Sequence, residues 1–117
     1  MTTLTVEGTG AIIQRLTVSG HAGFAESGRD IVCAAASILI ATCANALESV
    51  AGIKPDVWQD EKAAVIRVSL PNARGEQAAR DMQAEHDAQV ILRTVLQGFR
   101  DIAEEYPEHI TIIDRRK

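Results

Sequence analysis

The sequence predicts a two-layer α+β fold: a mostly antiparallel β-sheet with two main helices on one face, in the order ββα-ββα-β. Three observations predict it. Segments that alternate apolar and polar residues come in adjacent pairs, as the strands of hairpins do. Each pair is followed by a helical pattern, the first apolar nearly all round and the second amphipathic. A final short strand pattern closes the chain. Helices that each follow a hairpin bury their apolar sides most simply together, on one side of the sheet. A chain of 117 residues suits a single domain, 1–117.

Taken in order, Leu4 and Val6 alternate with Thr3, Thr5 and Glu7 and give a first strand. Gly8-Thr9-Gly10 reads as a tight turn. Ile12, Gln14, Leu16 and Val18 then form one face of a second strand, which ends at Gly20. The first helix starts near Asp30, whose side chain can accept the N–H of Cys33 as an N-cap, and runs to about Val50 with Gly52 just beyond. Its many alanines allow close packing, by the sheet on one side and by a partner subunit on another. Residues 53–58 give a third strand, Asp60-Glu61-Lys62 a polar turn, and residues 63–70 a fourth strand with Ala64, Ile66 and Val68 on one face. Residues 74–87 are charged and weakly periodic, and read as a short helix or a helical extension. Leu92, Val95, Leu96, Phe99, Ile102 and Ala103 are spaced as one face of an amphipathic helix, which Tyr106-Pro107 stops. Residues 109–113 are the last strand.

Composition narrows the classes of function. A net charge of −4 argues against nucleic acid as a direct partner, because phosphate binding needs a basic surface. The basic end, Asp114-Arg115-Arg116-Lys117, is short and reads as a solvated terminus. Two cysteines make no disulfide framework. On one helix, ten positions apart, they stand roughly 15 Å apart, too far for a bridge that needs Cα atoms within about 7 Å. Both read as free thiols in a reducing compartment, the cytoplasm. Residues 1–7 have neither a basic start nor an apolar core, so no signal peptide is expected. Residues 31–47 carry no charge, but the stretch is Ala-rich and short of the roughly 20 strongly apolar residues of a span. A buried core helix is expected, with no membrane partner.

The chemistry concentrates in the loop between the second strand and the first helix. It holds His21, with Gly20, Gly23 and Gly28, and it leads directly to Cys33. The start of a helix favours an anion, because its first N–H groups are unpaired and its dipole is positive there. A thiolate is such an anion. If the loop folds back, His21 and Cys33 form a thiolate–imidazolium pair, sufficient for nucleophilic cysteine catalysis. The plainer readings are a structural thiol in an Ala-rich helix and a loop histidine. Asp30 either caps the helix or orients His21; a carboxylate close to the thiol would hinder its ionisation, which favours capping. Ser37, one turn after Cys33, either hydrogen-bonds within the site or bonds back to the backbone of Cys33. The glycines read as plain loop residues or as parts of a lid over an extended peptide. Phe24 is either a lid anchor or an apolar contact. Cys43 belongs to the core, about 280° round the helix from Cys33, and His86 and His109 read as surface or edge residues. No Cys-x-x-Cys or His-Glu-x-x-His spacing occurs, so neither a metal nor another cofactor is expected.

Gly20-His21-Ala22, followed by a glycine-containing loop and then Gly28-Arg29-Asp30-Ile31-Val32-Cys33-Ala34-Ala35-Ala36-Ser37, resembles the bacterial ribosomal-processing cysteine protease family, Prp. The family pattern is a Gly-His-Ala tripeptide, a variable loop, then Gly-x-Asp-Ile-Val-Cys-Ala, small residues and a serine. The resemblance extends over the whole chain, including Glu105-Tyr106-Pro107-Glu108-His109-Ile110. It implies a homodimeric cysteine endopeptidase that removes the N-terminal extension of one large-subunit ribosomal protein, cutting after a short apolar, aromatic motif. It implies Cys33 as nucleophile and His21 as general base and acid, with Asp30 and Ser37 supporting and the loop of Gly20, Gly23, Phe24 and Gly28 admitting substrate. Residues 74–87 depart from the family in length and charge, and Ala34-Ala35-Ala36 stand where the family can have a Val. The rival from another class is a non-catalytic, dimeric, ribosome-associated peptide-binding protein in which His21 and Cys33 only shape a groove.

Overall fold

The computed structural model describes residues 1–20, 29–71 and 82–117, with the backbone alone at 29 and 30. Its elements are β1 (Thr2–Thr9), β2 (Ile12–Ser19), α1 (Arg29–Ser49), β3 (Asp56–Asp60), β4 (Val65–Ser69), α2 (Met82–Glu105) and β5 (Ile110–Asp114). The strands form one sheet in the order β3-β4-β2-β1-β5, in which only the β1–β5 pair is parallel. This is the expected α+β architecture.

In β1 the alternation holds, with Leu4 and Val6 fully buried. The alternation expected of β2 does not. Ile13 and Leu16 are buried, whereas Ile12 is half exposed. The cause is a bulge. Glu7 pairs with Arg15 but Gly8 pairs with Ile13, so Gln14 is an extra residue on β2. One extra residue moves the side chains beyond it to the other face. The same bulge lets β1 continue to Thr9, so the turn is Gly10-Ala11, not Gly8-Thr9-Gly10. It is pinned from above. The Ile13 N–H donates to Gln89 Oε1 and the Gln89 amide donates to the Ile13 carbonyl, each at 2.8 Å.

α1 begins at Arg29, so Asp30 lies inside the first turn and not at its cap. Beyond α1, the Gly52 N–H reaches the Glu48 carbonyl and the Ile53 N–H reaches that of Leu47. Ile53 is thereby buried under the helix end, and β3 starts only at Asp56, after Pro55, three residues later than expected. Ala64 likewise belongs to the turn before β4. α2 runs on one side of the sheet beside α1 and buries Ala88, Leu92, Val95, Leu96 and Phe99. Residues 82–87 are its N-terminal extension; residues 72–81 lie outside the described residues, and with them part of the 74–87 stretch. The two helices approach closely at Gly98, where an added Cβ would meet Leu39 Cδ2 at 2.9 Å.

Within this single chain α1 buries one side. Val32, Ala36, Ile40, Cys43 and Leu47 pack into the core, but Ile31 and Ile38 on its other side are 55% and 64% exposed. Ile31–Ser49 is long and apolar enough to cross a membrane by length and composition, yet one face of it packs into the core of this fold. Burial pushes the Cys43 thiol up to about 12, which keeps it protonated and inert at neutral pH. The basic tail is not simply solvated. The Arg115 and Lys117 N–H groups donate to the Val6 and Gly8 carbonyls, extending the run of β5 beside β1. Arg116 pairs with Asp114 at 2.7 Å, and this partner holds the Asp114 carboxyl below its ordinary value.

Candidate active site

Cys33 is the fifth residue of α1 and half-buried. It forms part of the wall of a pocket of about 150 Å³ between α1 and the sheet. α1 also contributes Ala36, Ser37 and Ile40; the end of β2 contributes residues 18–20, and the β3–β4 turn and its flanks contribute residues 59–61 and 64–66. The lining is mainly apolar, with Asp60 and Glu61 where the turn closes it. A pocket of this size and chemistry takes one apolar side chain up to about the size of an aromatic ring.

Three of the residues singled out in the sequence therefore meet at one pocket: Cys33, Ser37 and Gly20. Cys33 and Ser37 share a helix face through their i, i+4 spacing. Cys43 is elsewhere, fully buried in the core. His86 is exposed and His109 half-buried, both away from this pocket. His21, Gly23, Phe24, Gly28 and the Asp30 side chain lie outside the described residues. Among the described residues no group of three or more His, Cys, Asp or Glu is placed to hold a metal ion.

Gly20 is fixed at the pocket by two constraints. Its N–H donates to the Ala64 carbonyl at 3.0 Å. Its φ is +72°, and an added Cβ would stand 2.6 Å from the Met1 carbonyl oxygen. Both strain and collision forbid a side chain there. Gly20→Ala is expected to destabilise the fold by about 2 kcal/mol, a fall in Tm of roughly 8 °C, measurable by thermal denaturation. An unchanged Tm would mean that the end of β2 is not held as described.

The sequence did not reveal the far wall of the pocket. Ala64 adopts φ +54°, unusual for a residue with a Cβ, because it closes a turn in which Asp60 Oδ1 accepts the N–H groups of Lys62 and Ala63. The Asp60 turn was legible as a polar break, but nothing in its composition says that it faces Cys33. Thr2, also in the lining, arrives only through the pairing of β1 with its neighbours.

Comparison with known proteins bears on the family and the fold. The profile of the family described as Cysteine protease Prp matches residues 1–111. The ribosomal processing cysteine protease Prp of Staphylococcus aureus is 30% identical over 95 residues, 81% of this chain and 80% of that protein. The crystal structure of the Staphylococcus aureus ribosomal processing protease Prp with a substrate peptide superposes with a TM-score of 0.80 at 26% identity, covering 98% of this chain and 100% of the other. The structure of the same protease with a covalently linked product peptide superposes with a TM-score of 0.77 at 28% identity and the same coverage.

Proposed function

The chain belongs to the Prp family of cysteine proteases, and from that premise we propose that it removes the N-terminal extension of a large-subunit ribosomal protein with a Cys33–His21 dyad. The observation that carries the dyad is the pocket. Gly20 and Cys33, thirteen positions apart in sequence, line the same cavity. His21 follows Gly20 directly in the sequence.

In this reading the substrate lies extended with its scissile carbonyl over Cys33. His21 takes the thiol proton, and the sulfur attacks the carbonyl carbon. Unpaired N–H groups in the first turn of α1 receive the charge that develops on the carbonyl oxygen. As the intermediate collapses, His21 gives the proton to the leaving amine and the mature N-terminus departs. Water, with His21 as base, then hydrolyses the thioester. Ser37 and Asp30 support the site, the loop of Gly20, Gly23, Phe24 and Gly28 admits the peptide, and the apolar pocket takes a side chain beside the cut. The reaction needs no cofactor and no metal. Cytoplasmic location follows from the free thiols and the ribosomal substrate.

A homodimer fits the same reading. The open side of α1 carries Ile31, Ala34, Ile38, Ala41, Thr42 and Asn45 without a charge. A two-fold axis across such a face matches apolar to apolar, as isologous interfaces require.

Alkylation tests the dyad apart from any substrate. At neutral pH iodoacetamide is expected to label Cys33 at least tenfold faster than Cys43, which is buried and protonated. His21→Ala is expected to slow Cys33 labelling about tenfold without touching Cys43. Site-resolved peptide mass spectrometry reads both. Equal slow labelling of the two thiols would contradict the dyad.

A further inference from the structure

We propose that the free edge of β3 is the track on which the substrate peptide docks, as an added β-strand leading to Cys33. The inference rests on the protease reading and says how the extended substrate is held. β3 is the last strand of the sheet, paired with β4 on one side and with no described strand on the other. A sheet edge presents a row of unused N–H and C=O groups, and an extended peptide satisfies them by pairing. Natural edges are commonly blunted by proline or lysine; here Lys54 and Pro55 stand before the strand, and Asp56–Asp60 itself contains neither.

The position of β3 connects that edge to the chemistry. Its C-terminal end, Gln59 and Asp60, is also a wall of the Cys33 pocket. A peptide along the five residues of β3 covers about 16 Å, enough to align four or five substrate residues and deliver the next to Cys33. The side chains of β3 alternate in the manner such docking uses. Val57 and Gln59 lie opposite Val68 and Ile66 on the helix side of the sheet, and Trp58 lies opposite Arg67 on the other side. Val57 is 54% exposed and Trp58 49%. The Arg67 guanidinium sits 5.0 Å from the centre of the Trp58 ring and holds it against the sheet.

The charges choose between occupants. If two copies of this chain paired their β3 edges about a two-fold axis through Trp58, each Asp56 would face the other copy's Asp60. Like charges directly opposite oppose pairing. The edge therefore opposes pairing with its own kind, and its aspartates, with Glu61 beyond them, outnumber the flanking Lys54 and Lys62 and favour a peptide that carries positive charge.

The test uses the Cys33→Ala chain, which binds without cutting, and a synthetic lysine-containing peptide spanning the processed junction. Trp58 is the chain's one tryptophan, so its emission reports what covers β3. The expected result is an emission change on binding, together with loss of affinity when single backbone nitrogens of the peptide are methylated. That loss, about threefold to tenfold per hydrogen bond, should recur at every second residue, as strand pairing demands. Asp56→Lys should weaken binding by up to about fivefold, less at high salt. Binding with no change at Trp58, or methylation effects without alternation, would overturn the strand docking. Failure of the unsubstituted chain to cut the unmodified peptide would instead overturn the protease reading beneath it.

Discussion

Replacing Cys33 with alanine is expected to lower kcat/KM for cleavage of the junction peptide by at least about 10⁴-fold, with the fold intact. Two quantities set this expectation. The side chain is small and half-buried at a pocket wall, so losing the sulfur leaves little cavity and the change in stability stays below about 1 kcal/mol. The chemistry, by contrast, loses its nucleophile, and only the polarising donors and the binding of the substrate remain. Cys43→Ala should give the opposite pattern. It removes a fully buried group from the core, so Tm falls while activity per folded molecule stays. The pair of variants separates a catalytic thiol from a structural one, a distinction that sequence alone leaves open for any free cysteine.

The second large effect is on stability and lies far from Cys33. Gln89→Leu is expected to cost about 3 kcal/mol. Gln89 is a buried polar residue of α2 whose amide satisfies both backbone groups of Ile13, at the bulge in β2. Leucine fills the space but leaves a buried N–H and a buried C=O without partners, each at about 1–3 kcal/mol. Urea titration measures the loss directly. Gln89→Glu, which keeps an acceptor for the N–H but not a donor for the carbonyl, should also destabilise. A neutral outcome for both variants would mean that the clamp does not hold the bulge.

These two residues mark what was legible in the sequence. The order of elements, the amphipathic α2 and the buried pair Leu4 and Val6 follow from periodicity, because a period of two or of 3.6 declares which side of an element is wet. The bulge did not follow. Gln14 is one residue inserted in an otherwise regular alternation, and only the pairing of β1 with β2 shows which side of it reverses. Gln89 has the same cause, since a polar residue on an apolar face gives no sign of the carbonyl it serves 76 positions away. β3 was expected three residues early because residues 53–58 look like a strand, whereas Ile53 is taken up by the end of α1. At the site, the motif around Cys33 was legible because neighbours in sequence carry it. The wall formed by residues 59–66 was not, because it is assembled by the sheet. The open side of α1 is the side read as covered by a partner subunit, and composition shows that a helix is apolar but not how many of its sides a single chain buries.

The central claim is that Cys33 is the nucleophile of an endopeptidase acting on a ribosomal protein. Its most direct test is intact-mass spectrometry of that protein, bearing its N-terminal extension, after incubation with this chain and with Cys33→Ala. The account predicts one cut, at one junction, by the unsubstituted chain alone. No cut by either folded protein on the cognate substrate, or equal cutting by both, would contradict it, and the first outcome would favour a peptide-binding protein with the same groove.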